Sequence, residues 1–299
     1  MPLSETDLFV DERRRLTGLA YRLTGSWADA EDVTQDAFTR WHTLPADERS
    51  EIRSPEAWLT TVAGRLCLDL LRSARVRRER YVGEWLPEPL PHEVAVTLSV
   101  LRAGDPADQV VRDESLSMAF LVMLESMTPA ERVAFVLHDV FAYSFPEIAE
   151  VLQRSPAAAR QLASSARRQL RTDGRPRGAT ADHAAAIRRL RLAWESGDIG
   201  GLVGLLDPDV TLVADGGGVV GAARRPVRGA DAVARYFATI AEQAGGLTLR
   251  EQTVNGRPGL VAERAGAPAT VAAFEVDGGR IVRIWAMRNP DKLRLWRAA

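Results

Sequence analysis

Apolar positions recur every three to four residues through the first eighty or so residues. Leu16, Leu19, Ala20 and Leu23 fall on one helical face, and Ala30, Val33, Ala37 and Trp41 on another. A polar loop is expected from Thr43 to Arg53. Ser54-Pro55 then supplies an N-cap hydroxyl and a first-turn proline for a third helix. Its apolar face is expected to be Leu59, Val62, Ala63, Leu66 and Leu70, with Arg65, Asp69 and Arg72 opposite. Four prolines between Val82 and Asp108 (Pro87, Pro89, Pro91 and Pro106) break the pattern and mark a linker.

A second helical block runs from about Val110 to Thr172. Thr128-Pro-Ala-Glu131 and Ser144-Phe-Pro-Glu147 both have the spacing of capping boxes, in which hydroxyl and carboxylate exchange hydrogen bonds with the first turn. A short apolar helix (Ile148, Ala149, Val151, Leu152), a turn at Gln153–Ser155 and a helix opened by Pro156 make a helix-turn-helix. After a second linker at Thr172–Gly178, glycine becomes frequent and the period shortens. Helices are expected at 181–196 and 229–241. Strands are expected at 210–214, 247–254, 259–264, 269–276 and 280–288, with Asp277-Gly-Gly279 as a hairpin turn. The fold class is therefore multidomain: two all-α domains, the second a helix-turn-helix, followed by an α+β domain. The expected boundaries are 1–81, a linker at 82–109, 110–173, a linker at 174–180, and 181–299.

Composition narrows the function classes. In 299 residues, 46% hydrophobic and 26% charged content is that of ordinary globular protein. No apolar run reaches the roughly 18 residues of a membrane span, and the N-terminus shows no signal-peptide core, so a cytoplasmic protein is expected. The single cysteine, Cys67, excludes an internal disulfide and a multi-cysteine zinc site, and no metal or cofactor is expected.

A net charge of -1 conceals strong segregation. Asp29, Glu31, Asp32 and Asp36 crowd one helix without a base among them. Six arginines lie between Arg65 and Arg80, and five between Arg154 and Arg171 with no acid. An acidic helix together with two separated basic ones suits a protein that meets both another protein and nucleic acid, though charge alone also fits solvated helix faces. In the helix after Ser155, Ala159, Leu162, Ala163, Ala166 and Leu170 form the inward face. Arg160, Ser164, Arg167, Arg168 and Arg171 point outward with Gln161 at the edge. Small buried residues allow close packing while long donors reach bases and phosphates. A basic surface helix of a plain bundle has the same pattern.

The stretch Leu23-Thr-Gly-Ser-Trp-Ala-Asp-Ala-Glu-Asp-Val-Thr-Gln-Asp-Ala-Phe-Thr-Arg-Trp41 resembles the extracytoplasmic-function sigma factors. Pro55-Glu-Ala-Trp-Leu, with Arg65, Asp69 and Arg72, resembles the helix that follows in that family. Ile148-Ala149 and the helix from Ser155 resemble its −35-reading domain. The resemblance covers residues from about 5 to 172. It implies that Asp29, Glu31, Asp32, Gln35 and Asp36 dock on the clamp helices of the polymerase β′ subunit. It further implies that Arg65, Asp69, Arg72, Arg75, Arg77 and Arg78 meet the −10 element, with the 43–53 loop holding a flipped base. Ser155, Arg160, Gln161, Ser164, Arg167, Arg168 and Arg171 would then read the −35 element.

Three further signatures resemble a sigma subgroup carrying a C-terminal SnoaL-like domain of NTF2-like fold. They are Trp85-Leu86-Pro87-Glu88-Pro89, Asp215-Gly216-Gly217-Gly218 and Asn289-Pro290-Asp291-Lys292-Leu293. That resemblance implies regulation in cis by the third domain. The subgroup pattern usually continues from the glycines to a lysine, whereas Val219 and Val220 follow here. The linker is expected to dock near Asp215–Gly218, with Lys292 reaching an acid on the sigma side. Taken alone, Asp215–Gly218 also reads as a flexible turn.

SnoaL relatives include cyclases and isomerases, so an enzyme is the competing class. None of His42, His92, His138 and His183 falls in an expected strand of the third domain. Asp215 and Arg264 remain as pocket candidates, a weak set for acid–base chemistry. A small ligand could still bind there. A dimeric repressor would leave both the acidic helix and the Trp58–Arg80 helix without a role.

Overall fold

A computed structural model of the chain describes residues 5–78, 81–99, 114–173, 181–243 and 245–297. It divides into two compact units: residues 1–79, 96–116 and 121–175, and residues 80–95, 117–120 and 176–299.

The first unit is helical. Helices α1 (Glu5–Thr24) and α2 (Trp27–Thr43) bury the two faces expected of them. The Ser26 hydroxyl caps α2 by accepting from the Asp29 N–H. The segment 43–53 departs from its expectation as loop: Ala46–Glu51 is a short helix, α3, with none of its residues buried. Helix α4 (Pro55–Arg78) begins at the Ser54 cap. Its buried side is rotated from the expected one. Leu59, Ala63, Cys67, Leu68 and Leu71 are buried, while Val62, Leu66 and Leu70 are only half-buried. The shift arises because α4 packs on α1 and α2 and also on a helix of the second block, so Gly64 faces inward as well.

After α5 (His92–Leu98) and α6 (Met118–Leu124), helix α7 (Pro129–Phe135) opens on the expected Thr128/Glu131 capping box and runs into one π-helical turn at Val136–Val140. Helix α8 (Phe145–Leu152) carries the second capping box, and α9 (Pro156–Asp173) completes the helix-turn-helix. The turn has no glycine, and Gln153 itself takes the left-handed conformation, at φ 52°.

Contacts at Arg15 and Gly64 are among those that join the halves of this unit. Arg15 bonds to Glu12, Thr60 and Tyr143, and the Tyr143 hydroxyl lies 2.8 Å from the Thr60 hydroxyl. Burial works against the charge on Arg15, but the Glu12 carboxylate and Tyr143 outweigh it and hold the guanidinium protonated. Gly64 of α4 lies so close to α8 that a Cβ there would sit 2.6 Å from a Val151 methyl.

The second unit is α+β. Helices α10 (Ala181–Glu195), α11 (Ile199–Leu205) and α12 (Ala230–Gln243) accompany a six-stranded sheet. The strands are β1 (Leu206–Asp215), β2 (Val227–Arg228), β3 (Leu247–Val254), β4 (Arg257–Arg264), β5 (Ala267–Asp277) and β6 (Arg280–Met287). Their order is β2-β1-β6-β5-β4-β3, antiparallel except for the β1–β6 pair. Gly278 and Gly279, both at positive φ, close the β5–β6 hairpin. Leu190, Leu205, Leu212, Val233, Phe237, Phe274 and Ile284 lie in the core between helices and sheet. The segment Arg80–Ala95 belongs to this unit, with Leu86 and Leu90 buried and Pro91 bridged to Val254. A short 3₁₀ turn at Pro290–Lys292 and helix α13 (Arg294–Arg297) end the described chain.

Candidate functional site

The acids of α2 follow from its helical period. Ala30, Val33, Ala37 and Trp41 turn inward, so Glu31, Asp32, Gln35 and Asp36 are exposed and Asp29 half-exposed at the first turn. Only Asp29 is explained by an amino-terminal dipole. The rest make an acidic face with no structural need.

On α4, Arg65, Asp69 and Arg72 share the exposed side. Asp69 and Arg72 pair at 3.3 Å, and Arg65 donates to the Glu150 carbonyl of α8 at 2.9 Å. Arg75, Arg77 and Arg78 continue the helix, and their side chains lie outside the described residues. On α9, Ala159, Ala163, Ala166 and Leu170 are buried and Leu162 half-buried. Ser155, Arg160, Gln161 and Arg168 are exposed, Ser164 is half-exposed, and the Arg171 side chain lies outside the described residues. Arg167 and Arg160 have partners within the protein. Arg167 forms a bidentate pair with Asp139 at 2.7 and 3.1 Å, and Arg160 lies over the Phe145 ring at 5.0 Å.

The most tightly built cluster lies in the second unit, around Asp215 at the end of β1. Its carboxylate is fully buried and accepts four hydrogen bonds. Oδ1 takes the Tyr81 hydroxyl at 2.7 Å and the Gly217 N–H at 3.0 Å; Oδ2 takes the Leu86 N–H at 2.9 Å and Lys292 Nζ at 2.8 Å. Lys292 also donates to the Leu86 carbonyl at 2.6 Å and stands 4.2 Å from the Trp85 ring centroid. Asn289 donates to the Tyr81 hydroxyl at 2.9 Å and accepts from the Asp291 N–H, while Leu293 is buried. Gly217 must be glycine: its φ is +63° and a Cβ would fall 2.4 Å from the Asn289 amide. Pro87 and Pro89 are buried, and Trp296 donates from Nε1 to the Pro89 carbonyl at 2.8 Å. Burial first, then the Asp215 carboxylate, pushes the Tyr81 hydroxyl well above its ordinary pKa, so it stays a donor.

All three signature segments thus meet at one carboxylate, with one correction. Lys292, expected to reach an acid on the sigma side, pairs with Asp215 of its own domain, because Asp215 is buried and a carboxylate there needs a cation. Val219 is exposed. Sequence reasoning missed Tyr81, Asn255 and Trp296. Asn255 sits at the β3–β4 turn and pairs with Leu90 through both its side chain and its backbone.

The third domain also encloses an apolar cavity between the sheet, α10 and α12. Neither Asp215 nor Arg264 lines it, and Arg264 is exposed, so the two candidates for pocket chemistry lie outside the pocket. Among the described residues no group of three or more histidine, cysteine or acidic side chains could hold a metal ion, and no helix is long and apolar enough to cross a membrane.

Residues 8–77 match the Sigma-70 region 2 family, 117–170 Sigma-70 region 4, and 186–289 the SnoaL-like domain. The chain is 43% identical to the ECF RNA polymerase sigma factor SigJ of Mycobacterium tuberculosis, over 96% of this chain and 93% of that protein. It is 35% identical to a probable ECF RNA polymerase sigma factor, SigI, of the same species, over the same shares. The crystal structure of the M. tuberculosis SigJ superposes with a TM-score of 0.74 at 40% identity, covering 97% of this chain and 98% of that one.

Proposed function

The chain belongs to the extracytoplasmic-function sigma factors, which direct core RNA polymerase to promoters and act as initiation factors rather than enzymes, and from that premise we propose how its parts divide the work. Asp29, Glu31, Asp32, Gln35 and Asp36 dock on the β′ clamp helices in the cytoplasm. Arg65, Asp69, Arg72, Arg75, Arg77 and Arg78 engage the −10 element. Ser155, Arg160, Gln161, Ser164, Arg167, Arg168 and Arg171 engage the −35 element. The working boundaries are 1–81, 110–173 and 181–299, joined by linkers at 82–109 and 174–180.

Regulation in cis completes the proposal. Trp85–Pro89, Asp215–Gly218 and Asn289–Leu293 hold the linker to the third domain and thereby set the spacing available to the two DNA-reading domains. A small ligand in the third domain tunes that hold. The single observation that carries this reading is the buried Asp215 carboxylate, whose four donors include the Leu86 N–H of the linker, the hydroxyl of Tyr81 just before it, and Lys292. Pro87 and Pro89 stiffen the segment and lower the entropy lost on ordering it. Run-off transcription with purified core polymerase tests the reading. A chain ended at Asp173 should differ from the full-length protein in transcript yield, and so should a chain lacking the last ten or so residues. If both transcribe as the full-length protein does, the third domain is a passenger.

A further inference from the structure

The segment between α2 and α4 has little to order it. Helix α3 spans Ala46–Glu51, is polar and buries no residue. Six residues do not hold a helix in water by themselves, because nucleation costs more than so few backbone bonds return. Of the six, only Arg49 is half-buried; Ala46, Asp47, Glu48, Ser50 and Glu51 are exposed. Arg49 is therefore the side chain of α3 that ties it inward.

An arginine in a segment that faces nucleic acid would ordinarily be read as a phosphate contact. The placement of Arg49 argues otherwise. Its Nη2 donates to the Leu44 carbonyl at 2.9 Å and to the His42 carbonyl at 3.3 Å. Those carbonyls lie at the C-terminal end of α2, where helical oxygens lack intrahelical partners and a cation is favoured. The guanidinium carbon stands 5.9 Å from the centroid of the Trp41 ring. Trp41 is itself buried, with the Trp58 ring of α4 at 5.4 Å. Arg49 Nε is shut away from solvent, without an acceptor among the described residues. The guanidinium is thus turned inward, and it links α3 to the end of α2 and to an aromatic pair shared with α4. Asp47, Glu48, Ser50 and Glu51 are left facing outward. Three carboxylates there repel phosphate, whereas their oxygens suit the donors of a neutral base.

We propose that Arg49 is a positioning residue for the −10 element: it holds α3 in the shape that receives the flipped, unpaired base. The proposal rests on the reading in which the 43–53 segment takes that base, and its test separates the two. Proteolysis of the full-length protein reads the hold on α3. Cleavage by a glutamyl endopeptidase after Glu48 and Glu51 should run roughly fivefold or more faster in Arg49→Ala, because cleavage tracks the population of the open segment. An unchanged rate overturns the proposal. Binding by holoenzyme, reconstituted from purified core polymerase and the full-length protein, reads the consequence. A single strand selected by wild-type holoenzyme from a randomised DNA pool is compared with copies that each carry one abasic position. Wild type should lose roughly tenfold in affinity at the position of the held base. Arg49→Ala should shrink that loss to about twofold, and Arg49→Lys, which keeps a cation and a donor, should recover part of it. If Arg49→Ala keeps the wild-type loss, or binds every strand more weakly by one common factor as removal of a phosphate contact would, the proposal is wrong. A wild-type holoenzyme indifferent to every abasic position would end the base-holding reading itself, and the proposal with it.

Discussion

Burying a carboxylate out of reach of water is costly unless its oxygens are paired, and Asp215 meets that demand with two neutral donors, one backbone turn and one ammonium. Asp215→Asn keeps the shape but removes the counter-charge of Lys292, itself largely buried, and should cost about 3–5 kcal/mol in the second unit. Thermal unfolding measures this; a loss below about 0.5 kcal/mol would mean the ion pair is not holding the site. His183 supplies a pH-dependent counterpart. Burial, then the Arg257 charge, lowers its pKa below the ordinary 6.5, so the folded chain prefers the neutral ring. Stability from this group is full above about pH 6.5 and declines as pH falls below it, because the unfolded chain takes up the proton more readily. His183→Gln should flatten that decline in melting temperature between pH 7 and 5, and an unchanged slope would assign it to other groups. At this scale the sequence was partly legible. Asp215, Lys292 and Asn289 stand in recognisable signatures, but Tyr81 and Trp296 do not, since their partners lie 134 and 207 positions away and no local pattern encodes such a contact.

Helices α4 and α8 meet where Gly64 admits Val151, and two opposing effects act at that position. Gly64→Ala would favour the isolated helix by about 1 kcal/mol. The new methyl would collide with Val151 and cost roughly 1–3 kcal/mol in overpacking. We expect the collision to win and to loosen α4 from α8, freeing Arg65 from the Glu150 carbonyl. Binding of a −10 promoter fragment, followed by fluorescence anisotropy, should tighten several-fold; unchanged affinity would mean that Arg65 is not restrained there. Most elements could be read from periodicity and caps, as the two capping boxes and the β5–β6 hairpin show. Helix α5 lies inside the segment expected as a linker, and two other helices also escaped that reading. Helix α11 carries Gly200, Gly201 and Gly204, which argue against a helix, yet the Asp198 cap and the burial of Leu202 and Leu205 outweigh propensity. Helix α3 is polar throughout, so no apolar stripe marks it. The rotated face of α4 has the same origin: a helix packed from two directions cannot be reduced to one stripe.

For the molecule as a whole, the acidic face and the Asp215 cluster make separable claims. Asp32→Arg combined with Asp36→Arg should abolish core-polymerase binding while leaving thermal unfolding unchanged, because both side chains are exposed and neither supports the core. Wild-type affinity of that double variant would move the docking surface elsewhere. The central claim is that the third domain acts on promoter-directed transcription through the linker it holds at Asp215. The most direct measurement is run-off transcription with purified core polymerase, comparing wild type, Asp215→Asn and the chain ended at Asp173 under one set of salt conditions. The account predicts that Asp215→Asn shifts transcript yield from the wild-type level toward that of the truncated chain. A variant that transcribes like wild type while the truncated chain differs would contradict it.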